Sequence, residues 1–287
     1  MSIKQIKKKI IDLLRWSEQY TNTDMVYLAK GGFWNTFDRG LTFLISIATM
    51  SMLSRFLPKE TFGSYEYILS VVSILGISTL SMNSPLTRAI AKKRDGMLAK
   101  VSKVRAKWSI LGIIGALAVG GWYLWHGNTL LGYSFLIGSF LFPLPRIFNG
   151  YTNFWHGRKR FDVNARHTVA INFFEALVFL PVIFFFDNLI IVMLAYFVSR
   201  AIFRGIAFYK ALKATDNDKT DQETVSYGKH LTLMGVVGKI AGKIDKVIIW
   251  QFLGPVQVAV YSFAQLPVNK AKKFLPVSTL TLPKLSE

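Results

Sequence analysis

The chain contains no cysteine. That excludes disulfides, thiolate metal sites and cysteine nucleophiles. Carboxylates are scarce, with 16 Asp and Glu against 35 Lys and Arg, for a net charge of +19. Such an excess raises nucleic acid as a partner. The basic residues, however, cluster at alternate ends of apolar runs and form no continuous stripe, so no nucleic-acid partner is expected. There is no Gly-x-x-x-x-Gly-Lys-Ser/Thr loop, hence no P-loop for ATP, and no His-Glu-x-x-His zinc motif. His126, His156, His167 and His230 are scattered without ligand spacing. Neither metal nor cofactor is implied. The N-terminus has a charged segment, but no apolar core or small-residue cleavage site follows it, so it is not a signal peptide.

Long apolar runs fill the space these absences leave. They lie at 33–57, 65–86, 108–125, 129–148, 168–186, 189–209 and 231–253, with a weaker one at 256–283. A full run is long enough to cross a hydrocarbon core, which takes about 20 helical residues. With the spans numbered one to eight, the Lys and Arg outside them gather at the N-terminus, in the 2–3, 4–5 and 6–7 links, and at the C-terminal end. The opposite links hold Lys59 alone. Short basic links stay cytoplasmic. The expectation is an all-α, polytopic membrane helix bundle in the cell (inner) membrane, with its N-terminus cytoplasmic. Ile3, Ile6, Ile10, Leu13 and Leu14 share a helical face flanked by lysines, so 1–30 reads as a cytoplasmic, interfacial helix on anionic membrane lipids.

Residues 213–230 are polar and mixed in charge, and read as a cytoplasmic linker. They separate two similar pieces. Phe56-Leu57-Pro58 runs on to Tyr65, and Phe252-Leu253-Gly254 to Tyr261, at a constant offset of 196. This suggests a parallel repeat of six-helix units. Residues 31–212 would form the first lobe, and 231–287 the incomplete start of a second. The chain is expected to be truncated, or a fragment.

Three segments carry a family resemblance: Ser54-Arg-Phe-Leu-Pro-Lys-Glu-Thr-Phe-Gly-Ser-Tyr65, Ser84-Pro-Leu-Thr-Arg-Ala-Ile-Ala91, and Lys243-Ile-Asp-Lys-Val-Ile-Ile249 with its continuation to Ser262. They resemble the polysaccharide repeat-unit flippases, the Wzx-type branch of the multidrug/oligosaccharidyl-lipid/polysaccharide exporter superfamily. The resemblance implies twelve or fourteen helices in two lobes around a central cavity. It also implies movement of an undecaprenyl-diphosphate-linked oligosaccharide from the inner to the outer leaflet. The pathway could be O-antigen (lipopolysaccharide), capsule, exopolysaccharide or teichuronic acid assembly, with other polysaccharide assembly proteins as partners.

Ionisable groups inside spans are functional candidates. At 100° per residue, Lys239, Lys243 and Lys246 share a face of span seven within about 60°. That face would suit a cavity binding a diphosphate; the alternative is lysines that snorkel to the interface. Asp245 adjoins Lys246 and could partly neutralise it. Gly238 and Gly242 fit close helix packing. Arg39, Thr42, Ser46 and Thr49 form a polar stripe on span one, facing a cavity or a neighbouring helix, with Asp38 next to Arg39. Arg88, on the family resemblance, is a candidate headgroup contact, and otherwise topogenic charge. Glu175 on span five is a candidate for a structural ion pair, for pairing with a cavity lysine, or for taking up a coupling ion, H+ or Na+. Gly112, Ala116 and Gly120 on span three read as packing.

The expected function is therefore a lipid-linked oligosaccharide flippase, not an enzyme. The outer links are too short to build a polymerase or ligase site. The alternatives are a cation or drug antiporter of the same superfamily, or a non-transporting fragment. An antiporter would favour intramembrane carboxylates, which are outnumbered here.

Overall fold

The computed structural model describes residues 25–274, and before them Gln5, Lys9, Asp12, Leu13 and residues 15–17. The interfacial face expected around Ile3, Ile6, Ile10 and Leu14 lies outside the described residues. Among those described, all regular structure is helical and no strand occurs. Helices α1 (Met25–Phe56) and α2 (Lys59–Leu75) meet at a tight turn. A 3₁₀ turn, Gly76–Thr79, leads into α3 (Asn83–Ala91). Then follow α4 (Met97–Trp125), α5 (Thr129–Leu141), α6 (Leu144–Phe148), α7 (Gly150–Gly157), α8 (Phe161–Phe185) and α9 (Leu189–Lys213). The last elements are α10 (Gln222–Met234), α11 (Val236–Ala241), α12 (Ile244–Leu253) and α13 (Pro255–Phe274).

Four helical segments are long and apolar enough to cross a membrane: α4, α5 through α7 as one unit, α8 and α9. A fifth is α2 with α3, bent by 43° at the 3₁₀ turn. The bend has a local cause. Leu80 sits at φ 55°, where an L residue cannot continue a helix. The outward surface is apolar, with Ile110, Leu111, Ile114, Phe173, Leu177, Phe184 and Ile202 all exposed. Water does not tolerate that much contiguous apolar surface, whereas lipid does. The protein is an all-α polytopic helix bundle of the membrane.

The turns at the end opposite the basic links are short because each carries a stop signal. The Asn128 side chain caps α5 by accepting from the Leu131 N–H at 3.1 Å. Asn188 caps α9 in the same way, at 2.9 Å from the Ile190 N–H. Gly254 ends α12 at φ 88°, a conformation that glycine alone adopts without strain. This turn packs on its counterpart: a Cβ on Gly63 would collide with the Pro255 backbone. The two pieces related by the 196-residue offset therefore touch.

Span three packs as the small-residue stripe predicts. Ala116 is fully buried. A Cβ on Gly112 would meet the Ser78 side chain and the Leu75 carbonyl, and one on Gly120 the Gly132 carbonyl at 3.1 Å. Span seven differs from expectation. It is not one helix but three pieces, α10 to α12, broken at Gly235 and at Gly242-Lys243. Each break follows a glycine, the residue that stabilises a helix interior least after proline.

The linker also differs from a solvated tether. It is docked on the basic end of the bundle. The Asp95 carboxylate, only 2% exposed, pairs with Arg158 and accepts the Asp216 N–H at 2.9 Å. Asp221 caps α10 through the Glu223 N–H at 3.0 Å, accepts from the Thr224 hydroxyl and pairs with Arg94.

Two apolar cores result. One lies toward the far end and includes Tyr67, Val72, Phe135, Phe142, Phe179 and Phe197. The other lies toward the basic end and includes Met82, Leu86, Val101, Tyr151, Ile171 and Phe208. Between them, in sequence, stand charged residues on three segments. Glu175 separates Ile171 from Phe179 on α8, Arg200 and Arg204 separate Phe197 from Phe208 on α9, and Arg146 separates Phe142 from Tyr151.

Candidate anion-binding cavity

This polar girdle encloses three contiguous cavities. The one nearest the basic end has a volume of about 490 Å³. Five cations line it: Arg105 from α4, Arg146 from α6, Arg204 from α9, Lys239 from α11 and Lys243 at the α11–α12 break. Ser81, Asn83 and Asn149 add neutral polar groups, and among the described residues no carboxylate lines the cavity. Arg105 is 3% exposed and donates to the Asn83 amide oxygen at 2.9 Å and to the Arg146 carbonyl at 3.4 Å. Arg146 donates to the Val72 carbonyl at 3.0 Å. Its guanidinium occupies the space a side chain at position 76 would need, so Gly76 admits it. Both arginines are held by neutral oxygens. Among the described residues, neither they nor Lys239 make a carboxylate ion pair.

A second cavity of about 270 Å³ shares Arg146, Arg204 and Lys243 with the first and adds Glu66, Tyr196 and Arg200. A third, of about 280 Å³, shares Glu66, Tyr196 and Arg200 with the second and adds Glu175. Here the charges are matched. Lys246 pairs with Glu66 at 2.5 Å, joining α12 to α2. Glu175 lies between Arg200 and Arg204, 3.3 Å from each. The Arg200 guanidinium also lies 3.9 Å from the Tyr196 ring centroid and donates to its hydroxyl. Burying such charges is tolerated because each has an opposite partner.

The arrangement can bind and neutralise an anion. Guanidinium groups suit phosphate oxygens by charge and bidentate geometry, and lysines add point charge. Arg105, Arg146 and Lys239 face the first cavity with no carboxylate pair among the described residues, whereas Lys246, Arg200 and Arg204 pair with carboxylates and tie helices together, Arg204 lining the first cavity as well.

Comparison with known proteins assigns the family. The model of the family described as "Polysaccharide biosynthesis protein" matches residues 28–287. The chain belongs to this family. A relative from Shigella flexneri, named "Putative O-antigen transporter", is 23% identical over 263 residues. That alignment covers 82% of the chain and 60% of the relative, so the chain spans about 60% of that protein's length. No solved structure matches.

Against this polysaccharide biosynthesis family, the residues singled out in the sequence fall into three groups. Lys239 and Lys243 line the cationic cavity, but not as one helical face, because the helix breaks between them. Gly238 and Gly242 line it as well. A Cβ on Gly238 would meet nothing, and one on Gly242 only its own turn, so close packing does not explain them. Lys246 is buried against Glu66, while Asp245 instead accepts from the Tyr261 hydroxyl at 2.6 Å and the Gln265 amide at 3.1 Å. Asp245 also accepts the Lys246 N–H at 2.8 Å, so the two neighbours remain linked while Lys246 pairs with Glu66. Glu175 forms an ion pair, with span-six arginines and not with a cavity lysine.

Thr42, Ser46 and Thr49 line the third cavity, and the Asn172 amide reaches the Thr42 hydroxyl at 2.7 Å. Arg39 is exposed and lines none of the three cavities; the Asp38 side chain lies outside the described residues. Arg88 is exposed on α3. Sequence reasoning missed Arg105, Arg146, Arg200, Arg204 and Glu66. The signal was present for three of them: Arg146, Arg200 and Arg204 interrupt apolar runs, where charge is costly.

Proposed function

We propose that this chain is part of an exporter that moves a lipid-linked oligosaccharide, carried on undecaprenyl diphosphate, from the cytoplasmic to the outer leaflet of the cell inner membrane. One observation carries the reading: a cavity of about 490 Å³ lined by five cationic residues and, among the described residues, by no carboxylate. A diphosphate supplies the missing negative charge. The first cavity holds that headgroup, the glycan occupies the polar space continuing through the other two, and the prenyl chain stays in lipid. The family match and the name of the Shigella flexneri relative support this substrate class. The basic links support a cytoplasmic N-terminus. Residues 31–212 serve as a six-helix lobe and 231–287 as the start of a second, so alternating access involves more helices than this lobe alone.

The test is a triple variant, Arg105→Gln with Arg146→Gln and Lys239→Gln. Surface glycan should fall at least about tenfold at equal membrane abundance, and the purified variant should lose pyrophosphate binding. Normal export at normal abundance would refute the assignment.

A further inference from the structure

We infer that a second, separate site, the groove between α4 and α10, binds the headgroup of an anionic glycerophospholipid. The groove has a volume of about 490 Å³ and shares no residue with the three interior cavities. On α4, Lys100, Lys107, Trp108 and Leu111 follow at helical spacing and face it; Val225 and Lys229 face it from α10. Among the described residues three lysines and no carboxylate line it. The Lys229 ammonium lies 5.4 Å from the Trp108 ring centroid, a cation–π contact that presents its charge over the groove.

The apolar wall selects a lipid over a soluble anion. Leu111 is 59% exposed, and beside it Ile110 and Ile114 are exposed on the same helix, leading away from the lysines into the apolar run. Lys100 and Leu111 are about 16 Å apart along the axis, at 1.5 Å per residue. A phosphate at the lysine end therefore leaves an acyl chain lying along the apolar end. Trp108 stands at the change from polar to apolar, the depth at which tryptophan is enriched at membrane boundaries. Basic clefts between helices at the cytoplasmic face are suited to acidic headgroups. Because α10 is the first piece of the broken seventh span, an occupied groove would tie the membrane surface to the segment bearing Lys239 and Lys243.

The inference rests on the membrane reading and not on the transported substrate. Its test uses the purified chain in vesicles containing brominated phosphatidylglycerol or brominated phosphatidylcholine. The Trp108 signal is the difference between the protein and Trp108→Phe. Phosphatidylglycerol should quench it at about tenfold lower mole fraction. The variant Lys100→Gln, Lys107→Gln, Lys229→Gln should lose that preference, and the three-arginine equivalent should keep it. Equal quenching by the two lipids would overturn the site, as would a preference surviving in the glutamine variant or lost in the arginine one. Abolition of the preference by soluble glycerol phosphate would overturn the choice of a lipid.

Discussion

The cationic cavity and the girdle beside it are built from the same residue types, but they treat charge in opposite ways. Around Glu66 and Glu175 each buried cation has a carboxylate at 2.5–3.3 Å. Among the described residues, Arg105 and Arg146 have neutral oxygens as their hydrogen-bond partners and no carboxylate. Charge matched within the protein holds helices together. Charge left unmatched beside open volume is kept for something that comes and goes.

The comparison is most exposed to attack at Glu175. Glu175→Ala leaves Arg200 and Arg204 facing each other without a carboxylate, and should cost about 3–5 kcal/mol. Thermal unfolding in detergent would measure it; an unchanged midpoint would erase the distinction between the two regions. Next comes the Glu66–Lys246 pair. Lys246→Met alone should destabilise by about 3 kcal/mol, whereas Lys246→Met with Glu66→Leu should recover most of the loss, because replacing both partners removes the desolvated charge. A double variant no better than the single one would mean the pair is not a unit.

In the cationic cavity the pattern should reverse. Lys239→Gln should change stability by no more than about 0.5 kcal/mol, yet weaken pyrophosphate binding about tenfold. A large stability loss there would show that the cavity charges are structural after all. Smaller still is Gly238→Ala, which should be neutral or stabilising by up to about 1 kcal/mol, since the new methyl meets only open space and alanine favours helix. The same change at Gly63 strikes the Pro255 backbone and should destabilise.

The weakest effect is on pH. Burial tends to raise the Asp221 carboxyl, but the Thr224 hydroxyl, the Glu223 N–H and the Arg94 guanidinium outweigh it and hold the carboxyl below its ordinary value. A depressed folded value contributes stability that is present above the unfolded pKa and lost as pH falls through the folded one. Hydrogen exchange at the start of α10 should therefore quicken, relative to other helix starts, only below the ordinary carboxylate range.

The spans were legible because hydropathy and basic links are properties of stretches, and averaging over 20 residues forgives local exceptions. The site was less legible because it consists of those exceptions. Arg146, Arg200 and Arg204 drew no reading in the sequence, because nothing in it brings them to Glu175 and the cavities. Lys246 read as a cavity cation because nothing in a one-dimensional pattern pairs position 246 with position 66, 180 residues away. The three-lysine face failed for another reason: a helical-wheel argument assumes one unbroken helix, and Gly235 and Gly242 break it. Glu175 as an ion pair was legible, since a lone buried carboxylate must find a cation; which cation was not.

The close approach of Gly76 and Arg146 has a consequence for inheritance. One position must stay empty for the other to stay charged, so the two cannot drift separately. A lineage that acquires any side chain at 76 must move the guanidinium, and a lineage that shortens residue 146 frees 76 to vary. Revertants selected from a Gly76→Ala strain should therefore include second changes at 146, 70 codons further along the gene.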